Sequence, residues 1–312
     1  MKVQITALIY AAVMACASIA GTALFLFLSP LLFLIGLKRT KQFAAPKSIV
    51  ITGASSGIGR ELAIAYAAKG VNLYLTGRDQ GRLSEVAQLC KKKGATVSES
   101  TIDSTNTDAM SKWLLKIDKS TPVDLVIANA GINEFQCYES TYEDRIRQVA
   151  NVNINGVLNT VLPLLPAFRE RRNGQIAFVG SMAFYMPLLM PGYIGSKYYI
   201  HGLAISLRQE LAEYGIGVTL LIPGCVKTRM VEYIDIDKPF ELLPEQSAAI
   251  FKRDISANLA SSYDNPKTLF MAQILNKAPA NVRDGWIYLQ RLLYSESFID
   301  SYSYVPPQYK NK

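Results

Sequence analysis

"ITGASSGIGRELAIAYAAKG", residues 51–70, contains the end of a predicted strand, a glycine-rich turn and a helix. Its glycines, Gly53, Gly57 and Gly59, have the spacing Gly-x-x-x-Gly-x-Gly. Glycine lets the backbone turn tightly and approach a ligand, and the amide groups at a helix N-terminus attract anions. A tight strand–helix turn needs glycine in any case, so the turn alone is weak evidence. Because it follows the first strand of a βαβ unit, it predicts a dinucleotide site.

Outward from this turn, apolar runs alternate with helical patterns. Strands are predicted at "KSIVIT" (47–52), "VNLYLT" (71–76), "ATVSES" (95–100), "VDLVIANAG" (123–131), "GQIAFVGS" (174–181) and "GVTLLIPG" (217–224). Helices are predicted between them, with one long helix or two over residues 143–169. Such alternation predicts a parallel sheet covered on both faces. The predicted fold class is therefore α/β, a Rossmann-type doubly wound parallel sheet, followed from about Val231 by a mostly helical C-terminal extension.

The choice of cofactor is read at the end of the second strand, about 20 residues after the glycine turn. An acidic residue there binds the ribose hydroxyls of NAD. This strand instead ends "LTGRD" (75–79), which offers Gly77 and Arg78. A guanidinium pairs with a 2′-phosphate, so Arg78 favours NADP over NAD, the alternative being a solvated surface arginine. Asp79 lies one residue too late to be the usual carboxylate and is expected to cap the next helix.

Reactive side chains are predicted in "GYIGSKYYI" (192–200) and just upstream of it. Tyr193 and Lys197 are four residues apart, so they share one face of a helix. A tyrosine phenol has a pKa of about 10, and a nearby ammonium, together with a cationic nicotinamide ring, is expected to lower that pKa. Ser181 follows a predicted strand and is suited to orient a substrate carbonyl. A lone Tyr-x-x-x-Lys is common by chance, whereas this combination in this order is rare.

With these motifs the chain resembles the short-chain dehydrogenase/reductase family, of the single-domain kind, over about residues 47–230. The resemblance rests on "TGASSGIG" (52–59), "ANAG" (128–131), "NVNING" (151–156), "GS" (180–181), "YIGSK" (193–197) and "PGCVKT" (223–228). The family's catalytic tetrad falls on Ser181, Tyr193, Lys197 and Asn153. The resemblance implies that Tyr193 exchanges the proton and that Ser181 positions the carbonyl. It also implies that Lys197 binds the nicotinamide ribose and that Asn153 holds a water that relays protons.

The resemblance further implies a set of cofactor contacts. Asp103 matches the family's adenine contact, Asn129 the structural asparagine beside the cofactor, and Thr228 the carboxamide contact. In full, the predicted cofactor-binding residues are Gly53, Ser55, Ser56, Gly57, Ile58, Gly59, Arg78, Asp103, Asn129, Ala130, Gly131, Tyr193, Lys197, Pro223, Gly224, Val226 and Thr228. Two departures from the family pattern, "ANAG" for a double asparagine and Gly180 for a serine, remove no reacting group.

Residues 1–37 are predicted to form a transmembrane anchor. No side chain from Val3 to Leu37 is charged. This run is longer than the roughly 20 apolar residues of a span and than the hydrophobic region of a cleaved signal. Residues 38–46 are the predicted basic juxtamembrane linker. Because basic residues follow the run, the positive-inside bias predicts a single-pass protein whose catalytic domain, residues 47–230, faces the cytosol.

The composition of the chain limits the classes of partner that it is predicted to bind. The net charge of +8 owes much to the flank after the anchor and to the tail lysines Lys310 and Lys312. No basic stripe alternates with aromatic residues, so nucleic acid is not a predicted partner, and a membrane surface is the simpler one. The four cysteines are far apart, without a CxxC pair, so neither a disulfide framework nor a metal site is predicted.

Residues 231–312 are predicted to form a substrate lid and helices that pack on the core or lie against the membrane. The lid is "VEYIDIDKPFELLPEQ" (231–246), with a helix from Pro244. "TLFMAQILNKAP" (268–279) and "GWIYLQRLLY" (285–294) are apolar with few charges. Apolar residues near the predicted site are consistent with an apolar ligand, although scaffold packing explains them equally well; they are Met182, Met186, Leu188, Leu189 and Met190.

The sequence thus predicts a membrane-anchored NADP-dependent oxidoreductase that transfers a hydride between NADP(H) and a carbonyl or secondary alcohol. Anchored members of the family suggest a lipophilic substrate that is 3-ketosphinganine-, steroid-, retinoid- or ketoacyl-like. Two alternatives stay open. One is a sugar-nucleotide epimerase or dehydratase on a related fold, although those enzymes space their glycines Gly-x-x-Gly-x-x-Gly. The other is a catalytically silent binding or scaffold protein. Many relatives pair through helices beside the active site, so a homo-oligomer is also left open.

Overall fold

The computed structural model describes residues 24, 27–30, 42–137, 140–185, 190–232, 240–277 and 279–293. The chain divides into two compact units, Met1–Gln42 and Phe43–Lys312. All strands of the described residues lie in the second unit. Several predicted features fall wholly or partly outside the described residues: most of the anchor, the start of the linker, lid residues 233–239, the apolar residues 186–189 and the tail beyond residue 293.

Among the residues that the structure describes, no helix is both long and apolar enough to cross a bilayer.

Seven parallel strands form one sheet. They are β1 (Ser48–Thr52), β2 (Asn72–Thr76), β3 (Thr96–Ser100), β4 (Leu125–Ala128), β5 (Gln175–Val179), β6 (Gly217–Ile222) and β7 (Ser261–Tyr263). Their order in the sheet is β3-β2-β1-β4-β5-β6-β7. The order reverses between β1 and β4, and at such a switch point the carboxyl ends of the strands open a crevice for ligands. The predicted doubly wound parallel sheet is confirmed.

Helices cover both faces of this sheet. They are α1 (Gly57–Tyr66), α2 (Gln80–Lys92), α3 (Thr107–Ser120), α4 (Tyr142–Ala150), α5 (Gly156–Val161), α6 (Leu165–Arg171), α7 (Pro191–Ala212), α8 (Pro244–Ser256), α9 (Pro266–Lys277) and α10 (Ala280–Leu293). Buried side chains of α1, α2 and α8 form the core on one face. Those of α3, α5, α6 and α7 form the core on the other.

The central strands are mostly apolar because both of their faces are buried. Their polar residues are buried as well; they are Ser48, Thr52, Gln175 and Thr219. In β1, Ile49 and Ile51 pack into the core beneath α1 and α8, whereas Val50 packs on the opposite side. All three are fully buried. Burying one such side chain contributes about 1.5–3 kcal/mol. Helices on both sides therefore anchor the strand ends that surround the crevice.

The segment predicted as one long helix or two is a chain of three helices, α4 to α6, with irregular turns between them. A π-helical turn, Asn151–Asn155, joins α4 to α5, and there the N–H of Gly156 bonds to the carbonyl of Asn151. A 3₁₀ turn, Leu162–Leu164, joins α5 to α6 and contains Pro163, which has no N–H for the helical pattern. The π turn adds a residue to the helical turn and so changes the direction in which Asn153 points.

The C-terminal segment predicted as mostly helical contains one further strand. β7 pairs in parallel with β6, with Ser261 opposite Leu220. Its three residues are too few and too polar to show a strand pattern, and pairing with β6 decides their conformation. The predicted helix from Pro244 is confirmed as α8, whose Phe251 is fully buried in the same core as α1. The predicted boundary at residue 230 thus falls between two adjacent strands of one sheet.

Candidate active site

A cavity of about 390 Å³ lies at the carboxyl ends of the strands. It runs from the glycine turn after β1 to the side chains of α7. Of the predicted site residues, those that line it are Gly53, Ser55, Ser56, Gly57, Ile58, Arg78, Asp103, Asn129, Ala130, Gly131, Tyr193, Lys197, Pro223 and Thr228. The structure therefore brings together residues that are up to 175 positions apart, counted from Gly53 to Thr228.

The glycine turn is open toward the cavity because two of its glycines adopt a left-handed backbone. Gly53 has φ of +65° and Gly57 has φ of +56°, values that residues with a Cβ rarely adopt. A Cβ on Gly53 would lie 2.9 Å from the Cα of Ala130, and one on Gly57 would lie 3.1 Å from Cγ2 of Thr228. Glycine at these two positions therefore lets the turn pack closely against the loop after β4 and against Thr228, where a side chain would clash.

Asn129 ties the end of β4 to this turn. Its Nδ2 donates to the carbonyl oxygens of Thr52 at 2.9 Å and of Gly53 at 3.1 Å. Gly59 was predicted to contact the cofactor, but it does not line the cavity. A Cβ on Gly59 would overlap the Asn129 side-chain amide and lie 2.5 Å from the carbonyl oxygen of Gly53. In this structure Gly59 therefore allows α1 to pack closely against the turn.

Two arginines lie at the end of the cavity beyond β2. Arg78 and Arg82 both line it, together with Asp79. Asp79 caps α2, as predicted, because its Oδ1 accepts the N–H of Arg82 at 3.0 Å, and its Oδ2 pairs with the Arg82 guanidinium at 2.9 Å. The guanidinium of Arg82 is thus paired with Asp79. Arg82 was not predicted from the sequence, although it lies three residues after the predicted cap Asp79, a spacing that brings side chains together on a helix.

Asp103 lines the cavity at the end of β3 and is exposed. Its Oδ1 accepts hydrogen bonds from the N–H and the hydroxyl of Thr105, both at 2.8 Å. These two bonds fix the direction of the carboxylate at the rim.

Two predicted cofactor residues after β6 lie outside the cavity lining. The N–H of Gly224 donates to Oδ1 of Asp264 at 2.8 Å. Val226 is buried and forms a parallel bridge with Leu242. Gly224 and Val226 thus hold the loop in which Pro223 and Thr228 line the cavity, and they contact neighbouring protein segments.

Tyr193 lines the opposite end of the cavity, and Ser181, which is not among the lining residues, hydrogen-bonds to its phenol. Tyr193 is the third residue of α7, and Ser181 lies two residues after the end of β5. Burial raises the pKa of the Tyr193 phenol, a hydrogen bond with Ser181 lowers that pKa, and the charge of Glu134 raises it. The net direction is upward, so the expected lowering was wrong for this structure. The cost of removing the phenolate from water is larger than the stabilisation that Ser181 supplies.

Lys197 lies one helical turn beyond Tyr193 and is buried. Its Nζ donates to the carbonyl oxygen of Val179 at 2.9 Å and lies 5.5 Å from the centroid of the Tyr193 ring. Burial lowers the pKa of Lys197 to about 8. The lysine and the tyrosine share one face of α7, as their spacing predicted.

Asn153 does not line the cavity but lies directly behind it, fully buried in the π turn. Its Oδ1 accepts the N–H of Ile132 at 2.8 Å, and its Nδ2 donates to the carbonyl of Ile132 at 2.9 Å and to Oγ of Ser196 at 3.0 Å. The amide thus joins the loop after β4 to α7. Its implied role in holding a water stays a prediction.

Sequence analysis also missed Glu134, a buried carboxylate in the loop after β4. Its Oε1 accepts the N–H groups of Gly192 and Tyr193. An acidic residue three positions after "NAG" offered no local signal, because its partners are almost 60 residues away.

Comparison with known proteins agrees with this arrangement. A protein-family model described as short chain dehydrogenase matches residues 47–239. An uncharacterized oxidoreductase from Myxococcus xanthus is 31% identical over 196 residues, which are 62% of this chain and 78% of that protein. An uncharacterized oxidoreductase from Listeria monocytogenes is 30% identical over 220 residues, 65% of this chain and 88% of that one.

Solved structures share the fold. A short-chain dehydrogenase from Sphingobium yanoikuyae in complex with NADPH aligns with a TM-score of 0.64 and 23% identity, covering 77% of this chain and 95% of its own. A short chain dehydrogenase from Mycobacterium paratuberculosis bound to NAD aligns with a TM-score of 0.60 and 24% identity, covering 69% and 94%. With the family match over most of the described unit, the conclusion is that this chain belongs to the short chain dehydrogenase family and is an oxidoreductase of that type.

Proposed function

We propose that this protein is a membrane-anchored, NADP(H)-dependent oxidoreductase that acts on the carbonyl or secondary alcohol of a lipophilic substrate. The observation that carries the proposal is one cavity with Arg78 and Arg82 at one end and Tyr193 and Lys197 at the other. A dinucleotide is an elongated ligand with a phosphorylated end and a reactive end. The arginines at one end of this cavity suit the phosphorylated end, and Tyr193 and Lys197 at the other suit the reactive end.

The residues present fit a dinucleotide that carries a 2′-phosphate. Gly53 and Gly57 line the cavity and present only backbone there, and a Cβ on either would crowd Ala130 or Thr228. At the β2 end, Arg78 and Arg82 line the cavity with Asp79, which pairs with Arg82, and Asp103 lies at the neighbouring strand end. Solved relatives of this fold are described with NADPH and with NAD, so the fold alone allows both. The guanidinium of Arg78, which can pair with a 2′-phosphate, favours NADP, with NAD as the alternative.

The reactive end has the groups that carbonyl reduction needs. The nicotinamide of a bound cofactor would supply the hydride, or accept it in the reverse direction. Tyr193 would give its phenolic proton to the carbonyl oxygen, and Ser181, hydrogen-bonded to that phenol, would donate to the same oxygen. Lys197 would place a positive charge beside the phenolate left behind and would bind the ribose of the cofactor. Asn153 would hold the backbone around them through its three buried hydrogen bonds.

A lipophilic substrate is favoured by what surrounds Tyr193. Ile132 and Val152 line the cavity and pack with Tyr193 in one apolar cluster. Further along the chain, Phe270 is 67% exposed and Tyr288 is 65% exposed, which suits a surface apposed to lipid. With the predicted anchor at residues 1–37, these features favour a substrate that partitions into the bilayer. The cytosolic orientation and a homo-oligomer stay predictions.

The first test is cofactor affinity of the detergent-solubilised full chain, measured by quenching of tryptophan fluorescence. We expect NADPH to bind at least about tenfold more tightly than NADH, the difference expected for a paired phosphate charge. Equal affinities would overturn the NADP assignment. If neither NADPH nor NADH binds, the alternative of a catalytically silent scaffold protein would be favoured.

The second test is turnover, followed by NADPH oxidation in lipid nanodiscs. The probes are 3-ketosphinganine, all-trans-retinal, a 3-ketosteroid and a long-chain ketoacyl ester, with dihydroxyacetone as the water-soluble control. Turnover of at least one apolar probe above that of the control supports the proposal. Turnover of dihydroxyacetone alone would overturn the lipophilic assignment. A UDP-hexose is incubated separately and its products are analysed, and its epimerisation or dehydration without net NADPH oxidation would favour the epimerase alternative.

The anchor is tested separately on the expressed full chain. We expect it to remain in the membrane pellet after alkaline carbonate extraction, and we expect protease added on the cytosolic side to digest the catalytic domain. Release by carbonate would overturn the anchor. Protection of the catalytic domain in sealed vesicles would overturn the cytosolic orientation.

A further inference from the structure

Glu134 makes an unusual connection to the helix that carries Tyr193. It is the first residue of the 3₁₀ turn Glu134–Cys137, after β4, and its side chain is buried. Oε1 accepts the backbone N–H of Gly192 at 2.8 Å and of Tyr193 at 3.1 Å. These residues occupy the second and third positions of α7. One carboxylate therefore binds the first turn of α7 from a different part of the chain.

This contact replaces a local helix cap. The first amide groups of a helix have no partners within the helix, and a side chain at the N-cap position usually accepts from them. The N-cap residue of α7 is Met190, which makes no side-chain cap. A negative charge at a helix N-terminus is favourable because of the helix dipole. Glu134 supplies both the hydrogen bonds and the charge, and it thereby fixes the backbone from which the Tyr193 side chain projects.

The second carboxylate oxygen points to a role beyond capping. Oε2 is buried and has no hydrogen-bond partner among the residues that the structure describes. A buried polar atom without a partner costs about 1–3 kcal/mol, and this cost falls on the capping carboxylate. The charge of that carboxylate raises the pKa of Tyr193, in the same direction as burial, which is the larger cause.

We propose that Glu134 is a positioning residue of this enzyme, whose carboxylate holds the first turn of α7, and with it Tyr193, against Ser181 and places a negative charge beside that turn. The inference rests on the proposed function, because it assigns Tyr193 as the proton donor. Two titratable groups in the described part of the chain are affected by the charge of Glu134: Tyr193 on α7 and Cys137 on its own turn. For each of them burial and the Glu134 charge both raise the pKa. Of these groups, Tyr193 is the one whose backbone N–H Glu134 also binds.

Two variants separate the hydrogen bonds from the charge. Glu134→Gln keeps an acceptor oxygen for the two N–H groups and removes the charge, whereas Glu134→Ala removes both. Glu143→Gln and Glu143→Ala are the matched controls, because Glu143 is an exposed glutamate in the first turn of α4. All variants are made in the full chain, with saturating NADP⁺ or NADPH.

The first readout does not depend on turnover. Tyrosines are labelled with ¹³C at the ζ carbon, the Tyr193 signal is identified by its loss in Tyr193→Phe, and its chemical shift is followed as pH changes. We expect the ionisation midpoint of Tyr193 to fall by about one pH unit in Glu134→Gln, because a neighbouring negative charge is lost. The Glu143→Gln midpoint should equal that of the wild type. An unchanged midpoint in Glu134→Gln would overturn the electrostatic role.

The second readout is kinetic and uses the apolar probe with the highest turnover. We expect Glu134→Ala to lower kcat about tenfold to a hundredfold, since a loosened first turn misplaces the phenol, while KM and NADPH affinity change less than about threefold. Glu134→Gln should recover most of that kcat. Equal losses of kcat in both variants, or a fall in NADPH affinity as large as the fall in kcat, would overturn the positioning role. If the wild type turns over no probe, the proposed function fails while the Tyr193 titration still decides the effect of Glu134.

Discussion

Lys197 donates a hydrogen bond from its ammonium to the backbone carbonyl oxygen of Val179, at 2.9 Å. Val179 is the last residue of β5 and Lys197 lies within α7, so this bond joins the strand end to the helix that carries Tyr193. Both residues are buried. The bond holds the lysine beside the phenol. It is the one hydrogen bond that the ammonium donates among the described residues, whereas an ammonium has three donors, and burial disfavours its charge.

Replacing Lys197 with methionine is expected to stabilise the protein at neutral pH. The folded-state pKa of Lys197 is about 8, below its ordinary value of 10.5. Below about pH 8 the lysine is charged in both the folded and unfolded states, so the burial cost, roughly 3 kcal/mol at most, is fully present. As pH rises from 8 toward 10.5, the folded protein loses the proton first and the cost disappears. Loss of the hydrogen bond to Val179 offsets part of the gain.

The measurement is the thermal midpoint of the full chain in detergent, near pH 7 and near pH 10. Lys197→Met should melt above the wild type at the lower pH, and the difference should shrink at the higher pH. Lys116→Met on the exposed face of α3 is the control and should show no pH-dependent difference. A constant difference between Lys197→Met and the wild type at both pH values would contradict the prediction.

Tyr193→Phe should abolish turnover and leave cofactor binding almost unchanged. Only the phenolic oxygen is removed, and the ring keeps its packing with Ile132 and Val152. Loss of a general acid typically costs two to four orders of magnitude, so we expect kcat to fall by at least about a hundredfold. NADPH affinity, measured by fluorescence quenching, should stay within about threefold. Retained turnover would mean that another group donates the proton.

Arg78→Ala should weaken NADPH binding far more than NADH binding. The guanidinium lies at the end of the cavity beyond β2, and only NADPH carries a phosphate for it to pair with. We expect about tenfold to a hundredfold weaker NADPH binding and less than a threefold change for NADH. Arg82→Ala should act in the same direction. Arg147→Ala, an exposed arginine on α4 outside the cavity, is the control; equal losses for both cofactors would contradict the assignment of Arg78.

Gly59→Ala should destabilise the fold, whereas Gly202→Ala should not. A Cβ on Gly59 would overlap the side chain that ties β4 to the glycine turn, whereas one on Gly202, an exposed position of α7, would meet nothing within 4 Å. Overpacking of this kind costs about 1–3 kcal/mol. Alanine in an exposed helix position gains up to about 1 kcal/mol over glycine. Thermal melting of both variants checks the pair, and a Gly59→Ala protein as stable as the wild type would contradict the packing role.

Periodicity and spacing predicted the parts of the site that lie at strand ends. Gly53, Gly57 and Arg78 follow predicted strands and Asn129 lies near the carboxyl end of one, and the carboxyl ends of parallel strands meet at one edge of a sheet. Tyr193 and Lys197 were also recognised, because four residues make one helical turn. Each of these predictions depends on the local chain and on one general property of parallel sheets.

Other features could not be read locally. β7 is too short to show the hydrophobic pattern of a strand, and it forms because its backbone pairs with the edge of β6. Glu134 caps a helix more than 50 residues away. The direction of the pKa shift at Tyr193 depends on burial, which no spacing of residues reveals.

The sequence by itself therefore determined the parallel sheet, the glycine turn and the shared helix face of Tyr193 and Lys197, because these follow from hydrophobic period, turn chemistry and helical spacing. Only the tertiary structure decided which predicted residues line the cavity, which ones support it from behind, and how charge and burial act on Tyr193. These outcomes depend on distances between residues far apart in the chain, and such distances exist only once the helices have packed on the sheet.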